Sequence, residues 1–329
     1  MKRYILVMSM LSVILFSKVI EFDLGMGKKA NLEVADRDVF VNITTKIKLK
    51  DLPNFRELEP NKNIETFLIK DYNFDGYSDI AVLSSYGMAN IIRDLYIYNS
   101  DTKEYKKVLK DTSNLQIDKD NRQLSTNNRV SASQYNKKYY KISEDFKIYK
   151  FWDEKRVVDK VNIDIYNKDG KIKKSFSKKN ISQISSISEV KNQYSKTTNS
   201  LNTLSKSKHS LNELSLEGGE VEVYKNSDGE INFANLVLYG ETYKVEYNFY
   251  FKNSVLFFVY EVSFAYNEPM YSEGFDIDKA IKKVNRFYFV NEELAKWLDE
   301  NKNSISTDDN KFYLKEREIL AMSREVLAF

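Results

Sequence analysis

Apolar and polar residues alternate along most of this chain, in short runs broken by Asn, Asp, Ser and Gly. A strand points successive side chains to opposite faces, so this period of two predicts half-buried strands joined by tight turns. From Val19 to about Tyr166 the stretches "VFVNITTKIKL", "ETFLIKDYN" and "SDIAVLSS" carry β-type residues. "RDLYIYNSDTKEYKKVL" reads as a hairpin turning at Asn99–Lys103, and a later hairpin turns at Lys168–Gly170. The pattern is that of an antiparallel meander. From 218 the strands return in "EVEVYKNSDGEINFANLVLYGETYKVEYNFYFKNSVLFFVYEVSFAYN", with turns at Ser227–Gly229 and at Lys252–Asn253.

Two stretches break this rhythm. Between 175 and 217 aromatic residues nearly vanish and Ser, Asn, Lys and Thr dominate. That composition predicts a polar linker, either a disordered link or partly helical, since Ile184, Ile187, Val190 and Tyr194 are roughly helically spaced. Near the end, "VNRFYFVNEELAKWLDENK" reads as a strand followed by a helix that Asn291 would cap. The last 23 residues predict a second helix, with Thr307 to Asp309 at its start and Ile319, Met322 and Val326 on its apolar face. The expected organisation is a leader over 1–17, a β-domain over 18–174, the linker over 175–217, and an antiparallel sheet with C-terminal helices over 218–329. The fold class is mainly β, with a meander or propeller-like arrangement in the first domain.

Composition narrows the function classes. The formal charge of +3 comes from 51 basic and 48 acidic residues, a balance that lacks the basic excess of a nucleic-acid binder. The absence of Cys excludes disulfides, thiolate catalysis and Cys-ligated zinc. At the N-terminus, Lys2 and Arg3 precede an apolar run from Tyr4 to Phe16, closed by Ser17 and Lys18. A basic start and a run of this length predict an export signal, too short to span a bilayer. Cleavage after Ser17 removes Lys2 and Arg3 and takes the charge from +3 to +1. The expected mature protein is exported to the periplasm or cell exterior and has no membrane span.

One stretch carries distinctive chemistry. In "DYNFDGYSDI" oxygen-bearing side chains recur at Asp71, Asn73 and Asp75, Gly76 follows, and Asp79 closes the set. Gly76 permits a sharp turn that points the oxygens inward, and the Tyr77 carbonyl falls at the seventh position. Hard oxygen donors crowded into a tight loop suit calcium, which takes six to eight of them. A divalent cation also offsets the repulsion among the three carboxylates. An EF-hand is excluded, because its twelfth position here is Val82 and the flanks are β-like.

Asp-x-Asn-x-Asp-Gly-x-x-Asp followed by an apolar strand resembles the calcium loop of FG-GAP repeats. The longer stretch from Ile64 to Leu109 resembles exported bacterial proteins built around such a loop, some of them immunity proteins or inhibitors of lysozyme-like peptidoglycan hydrolases. The resemblance implies a structural calcium ion at Asp71, Asn73, Asp75, Tyr77 (by its carbonyl) and Asp79. It also implies a protein partner in the cell envelope, such as a cell-wall hydrolase. Surface adhesion or an envelope-structural role is the alternative. Catalysis is not expected: the only histidine, His209, lies in the polar linker, and no P-loop, dinucleotide fingerprint or nucleophile elbow occurs. The aromatic runs "YNFYF", "LFFVY" and "RFYF" are expected in a core.

Overall fold

The computed structural model describes residues 18–35, 38–41, 45–48, 64–158, 160–179, 184–211, 214–215 and 217–329, so the leader expected over 1–17 lies outside the described residues. The chain is mainly β, with antiparallel sheets, and divides into two compact units, Met1–Phe151 and Trp152–Phe329.

In the first unit β1 (Lys18–Gly25), β2 (Lys28–Ala35), β3 (Asp38–Val41) and β4 (Thr45–Lys48) follow one another in a four-stranded meander. A second meander comprises β5 (Phe67–Lys70), β6 (Asp79–Tyr86), β7 (Ile91–Asn99) and β8 (Glu104–Ser113). The expected hairpin is present: Tyr98 pairs with Tyr105 and Asn99 with Glu104, and Asn99 Oδ1 accepts from the Asp101 and Thr102 amides. β9 (Gln116–Asp118), β10 (Gln123–Arg129) and β11 (Gln134–Ile142) form the unit's remaining ladder. Alternation along β6 and β7 sends residues into two cores. Ile80, Val82, Tyr96 and Tyr98 meet Leu24, Ala30 and Leu32 from the first hairpin, whereas Ala81 and Leu95 meet Tyr72, Leu124 and Tyr140.

The division between the units falls within β12 (Ile148–Val157). In the second unit β13 (Lys160–Tyr166) pairs with β12 and β14 (Ile172–Lys179), and Trp152 packs edge-on against Phe176 at 6.1 Å. Within the stretch expected to be a linker, Ile187–Ser200 forms helix α1. Ser186 caps it by accepting from the Glu189 amide, while the Glu189 carboxylate accepts from the Ser185 amide one residue before the cap, a variant of the capping box. Val190 is fully buried and Tyr194 lies on Tyr250 and Phe258, so α1 covers a sheet face. The next strand, β15 (Ser205–Ser210), edges a seven-stranded sheet continued by β16 (Gly219–Lys225), β17 (Ile231–Gly240), β18 (Tyr243–Lys252), β19 (Val255–Ala265), β20 (Ile281–Val290) and β21 (Glu293–Leu298). Phe249, Phe251, Phe257, Phe287 and Phe289 are buried completely, as expected of aromatic runs in a core.

The expected helix after Asn291 is instead β21. Asn291 and Glu292 both adopt left-handed φ, 56° and 66°, which turns β20 back on itself in two residues. Glu292 pairs with Lys178, and Leu294 and Trp297 pack beside Phe289 and Phe287, so tertiary contacts override local helix propensity. The final helix, α2 (Asn310–Leu327), is capped by Asp309 and buries Ile319, Met322 and Val326, as their spacing predicts.

Near the end of α2, Lys174 donates to the Leu327 carbonyl. Burial, with Lys225 and Lys173 nearby, pushes its ammonium down to about 8. The folded unit therefore binds fewer protons here than the unfolded chain between about 8 and the ordinary 10.5, and its stability rises with pH over that window. Denaturant melts at several pH values should show this rise, and Lys174→Met should flatten it.

Candidate cation-binding loop

The Asp71–Asp79 loop connects β5 to β6, and its backbone bends where the sequence permits. Gly76 has φ of 87°, and Phe74 is also left-handed at 61°. Asp71 Oδ1 accepts from the Asp75 amide at 3.2 Å and Oδ2 from the Gly76 amide at 2.9 Å. Asp75 Oδ1 accepts from the Tyr77 amide at 2.9 Å. These bonds wrap the backbone around the side chains and hold the carboxylates on the inner side of the bend.

Asn73 is almost wholly buried, at 2% exposure. Its Nδ2 donates to Asp75 Oδ2 at 2.9 Å and to the Phe146 carbonyl at 3.3 Å. Its Oδ1 is buried with no hydrogen-bond partner. An unmatched buried acceptor costs about 1–3 kcal/mol, and a half-turn of this amide, whose nitrogen meets Asp75, would bring that oxygen to the carboxylate and so to a shared cation.

Asp79 is fully buried and occupied on both oxygens: Oδ2 accepts from the Tyr72 amide at 2.7 Å and Oδ1 from the Tyr98 amide at 3.0 Å. Burial pushes its carboxyl up to about 8; the two amides oppose this and Asp75 and Asp71 reinforce it. Asp79 is thus a brace between the loop and β7, whatever it adds to a cation shell. Among the described residues no three His, Cys, Asp or Glu side chains stand close enough together to hold a metal ion. The donor set therefore fits a cation only through a mixture of carboxylate, amide and carbonyl oxygens, and the unmatched Asn73 oxygen is the observation in favour of that fit.

The structure also brings in residues that the local pattern does not indicate. The tip of the β1–β2 hairpin sits on the loop: the Ser78 amide donates to the Leu24 carbonyl at 2.8 Å, and its hydroxyl to the Asp23 carbonyl at 2.7 Å. Tyr105 donates its hydroxyl to the Ser78 carbonyl, and Tyr98 contacts both Tyr77 and Tyr105 with tilted rings, at 5.4 and 5.2 Å. Gly25 is required here, because an added Cβ would come within 2.1 Å of the Gly76 carbonyl oxygen and its φ is 96°. Gly25→Ala is expected to destabilise the first unit by about 2 kcal/mol through strain and lost docking, read from urea midpoints. Of the other chemistry-bearing residues, His209 lies on β15 with its ring bonded to the Ser207 hydroxyl and stacked 4.5 Å from Phe329. It is a strand residue, not the solvated linker residue its setting in the sequence predicts.

Among the described residues no helix is long and apolar enough to cross a membrane. Comparison with protein-family profiles, curated proteins and solved structures gives no match to this chain.

Proposed function

We propose that this is an exported, non-catalytic binding protein of the cell envelope, stiffened by a structural calcium ion in the Asp71–Asp79 loop, and that it protects against a peptidoglycan hydrolase. The calcium part rests on one observation, the buried Asn73 amide, whose nitrogen meets Asp75 and whose oxygen is unmatched, in a loop already wound around Asp71. The envelope and inhibitor parts rest on the N-terminal pattern and on the resemblance of the loop and its following strands. In this reading Asp71, Asn73, Asp75 and the Tyr77 carbonyl hold the ion, and Asp79 fixes the loop against β7. Calcium, when bound, supplies positive charge that offsets repulsion among the carboxylates. The binding surface is then held in one shape, which lowers the entropy cost of association.

Two measurements test this. Free calcium at about 100 times its dissociation constant should add about 2.7 kcal/mol of stability. That corresponds to a rise in Tm of roughly 5–10 °C for a domain of this size. Asp75→Ala should abolish the rise, and superimposable melts in EDTA and calcium would remove the ion from the account. Separately, the purified protein should slow a purified lysozyme acting on cell-wall fragments and should not itself degrade them. Unchanged lysozyme turnover would leave the calcium reading standing and overturn the inhibitor reading.

A further inference from the structure

We propose that the main-chain carbonyl of Phe146 is a further oxygen ligand of the cation site, so that one ion joins the Asp71–Asp79 loop to the turn between β11 and β12. This rests on reading the loop as a calcium site, and it adds a ligand 73 residues distant from Asn73.

The geometry centres on one atom. Asn73 Nδ2 stands 2.9 Å from Asp75 Oδ2 and 3.3 Å from the Phe146 carbonyl oxygen, while Oδ1 of the same amide is buried without a partner. A half-turn of the amide exchanges its two ends and leaves its shape almost unchanged. Oδ1 then faces a carboxylate oxygen and a carbonyl oxygen. Without a cation, three oxygens so placed repel one another. With a cation at about 2.3–2.6 Å from each, separations near 3 Å are those of neighbouring ligands in one shell. The ion-free arrangement with Nδ2 inward and the ion-bound arrangement with Oδ1 inward are two settings of one side chain.

The turn is built to present that carbonyl. Phe146 has φ of 58°, and its amide donates to the Ser143 carbonyl at 2.9 Å. Ser143 closes the turn through its own amide to the Lys147 carbonyl, and its hydroxyl accepts from the Lys147 amide. A neutral carbonyl also meets the need left by the carboxylates, no three of which cluster tightly enough among the described residues to hold an ion.

Terbium, a luminescent stand-in for calcium, tests the assignment on the full mature chain. Replacing Ser143–Lys147 by a two-residue Asn-Gly turn deletes the carbonyl. It should weaken terbium binding by roughly 10-fold, as loss of a supporting group around a metal does. Luminescence lifetimes in light and heavy water should show one additional bound water. Glu144→Ala, at an exposed position of the same turn, leaves the carbonyl in place and should bind as the parent does. Unchanged affinity and hydration in the shortened variant would overturn the assignment. Hydrogen exchange on the unaltered protein is independent of any variant's folding. Calcium should slow exchange at residues 71–79 and at 143–147 together. Slowing confined to 71–79 overturns the Phe146 ligand alone, whereas no terbium binding and no slowing anywhere removes the calcium loop and this ligand with it.

Discussion

Asp79→Ala should destabilise the first unit by about 3–5 kcal/mol in EDTA, with no metal involved. The substitution strands two buried amides, of Tyr72 and Tyr98, each costing about 1–3 kcal/mol when unmatched. Asp79→Asn keeps one acceptor and should cost about half as much. Asp71→Ala also removes bonds to two amides, Asp75 and Gly76, but at a half-buried site that water reaches, so about 1 kcal/mol is expected. Urea midpoints for the three variants give the order. An Asp79→Ala variant as stable as Asp71→Ala in EDTA would show that Asp79 is no brace.

A loss of comparable size is expected in the second unit from Lys315→Ala. Lys315 on α2 bonds Glu261 of β19 at 3.1 Å and Glu318 at 3.0 Å, and Glu318 accepts from the Tyr247 hydroxyl. Glu261 is buried, and its other oxygen accepts from Asn285, which in turn accepts from the Trp297 indole. Removing the ammonium leaves a buried carboxylate without its counter-charge, a loss of about 3–5 kcal/mol. Adding Glu261→Gln to Lys315→Ala should recover about 2 kcal/mol, because no bare charge then remains. Additive losses in the double variant would show that the pair is not coupled.

Local chemistry is what the sequence made legible. The β7–β8 hairpin followed from Asn99 and the residues after it, whose turn bonds close within three positions. The bend at Gly76 and the inward set of Asp71 and Asp75 also depend on near neighbours. The sequence pattern gives Asp79 as the closing oxygen of the loop and hides its brace role, since one partner is an amide 19 residues away on β7. Phe146 and Gly25 carried no local signal, because each matters only through a segment remote in the chain. Glu293–Leu298 was misread for a related reason: Glu, Leu, Ala and Lys favour a helix locally, and the two-residue turn with packing beside Phe287 and Phe289 outweighs that preference. The Ser- and Asn-rich stretch that suggested a linker includes α1, whose Ser186–Glu189 box and buried Val190 supply what its composition lacks.

β15 borders the seven-stranded sheet with Lys206 and Lys208, each half in water and paired inward to Glu222 and Glu220. A neighbouring molecule seeking to extend the ladder there would have to seat its own strand beside a row of solvated ammonium groups. That border discourages edge-to-edge stacking at high local concentration, and a protein with no cysteine to lock its shape has particular use for such a barrier.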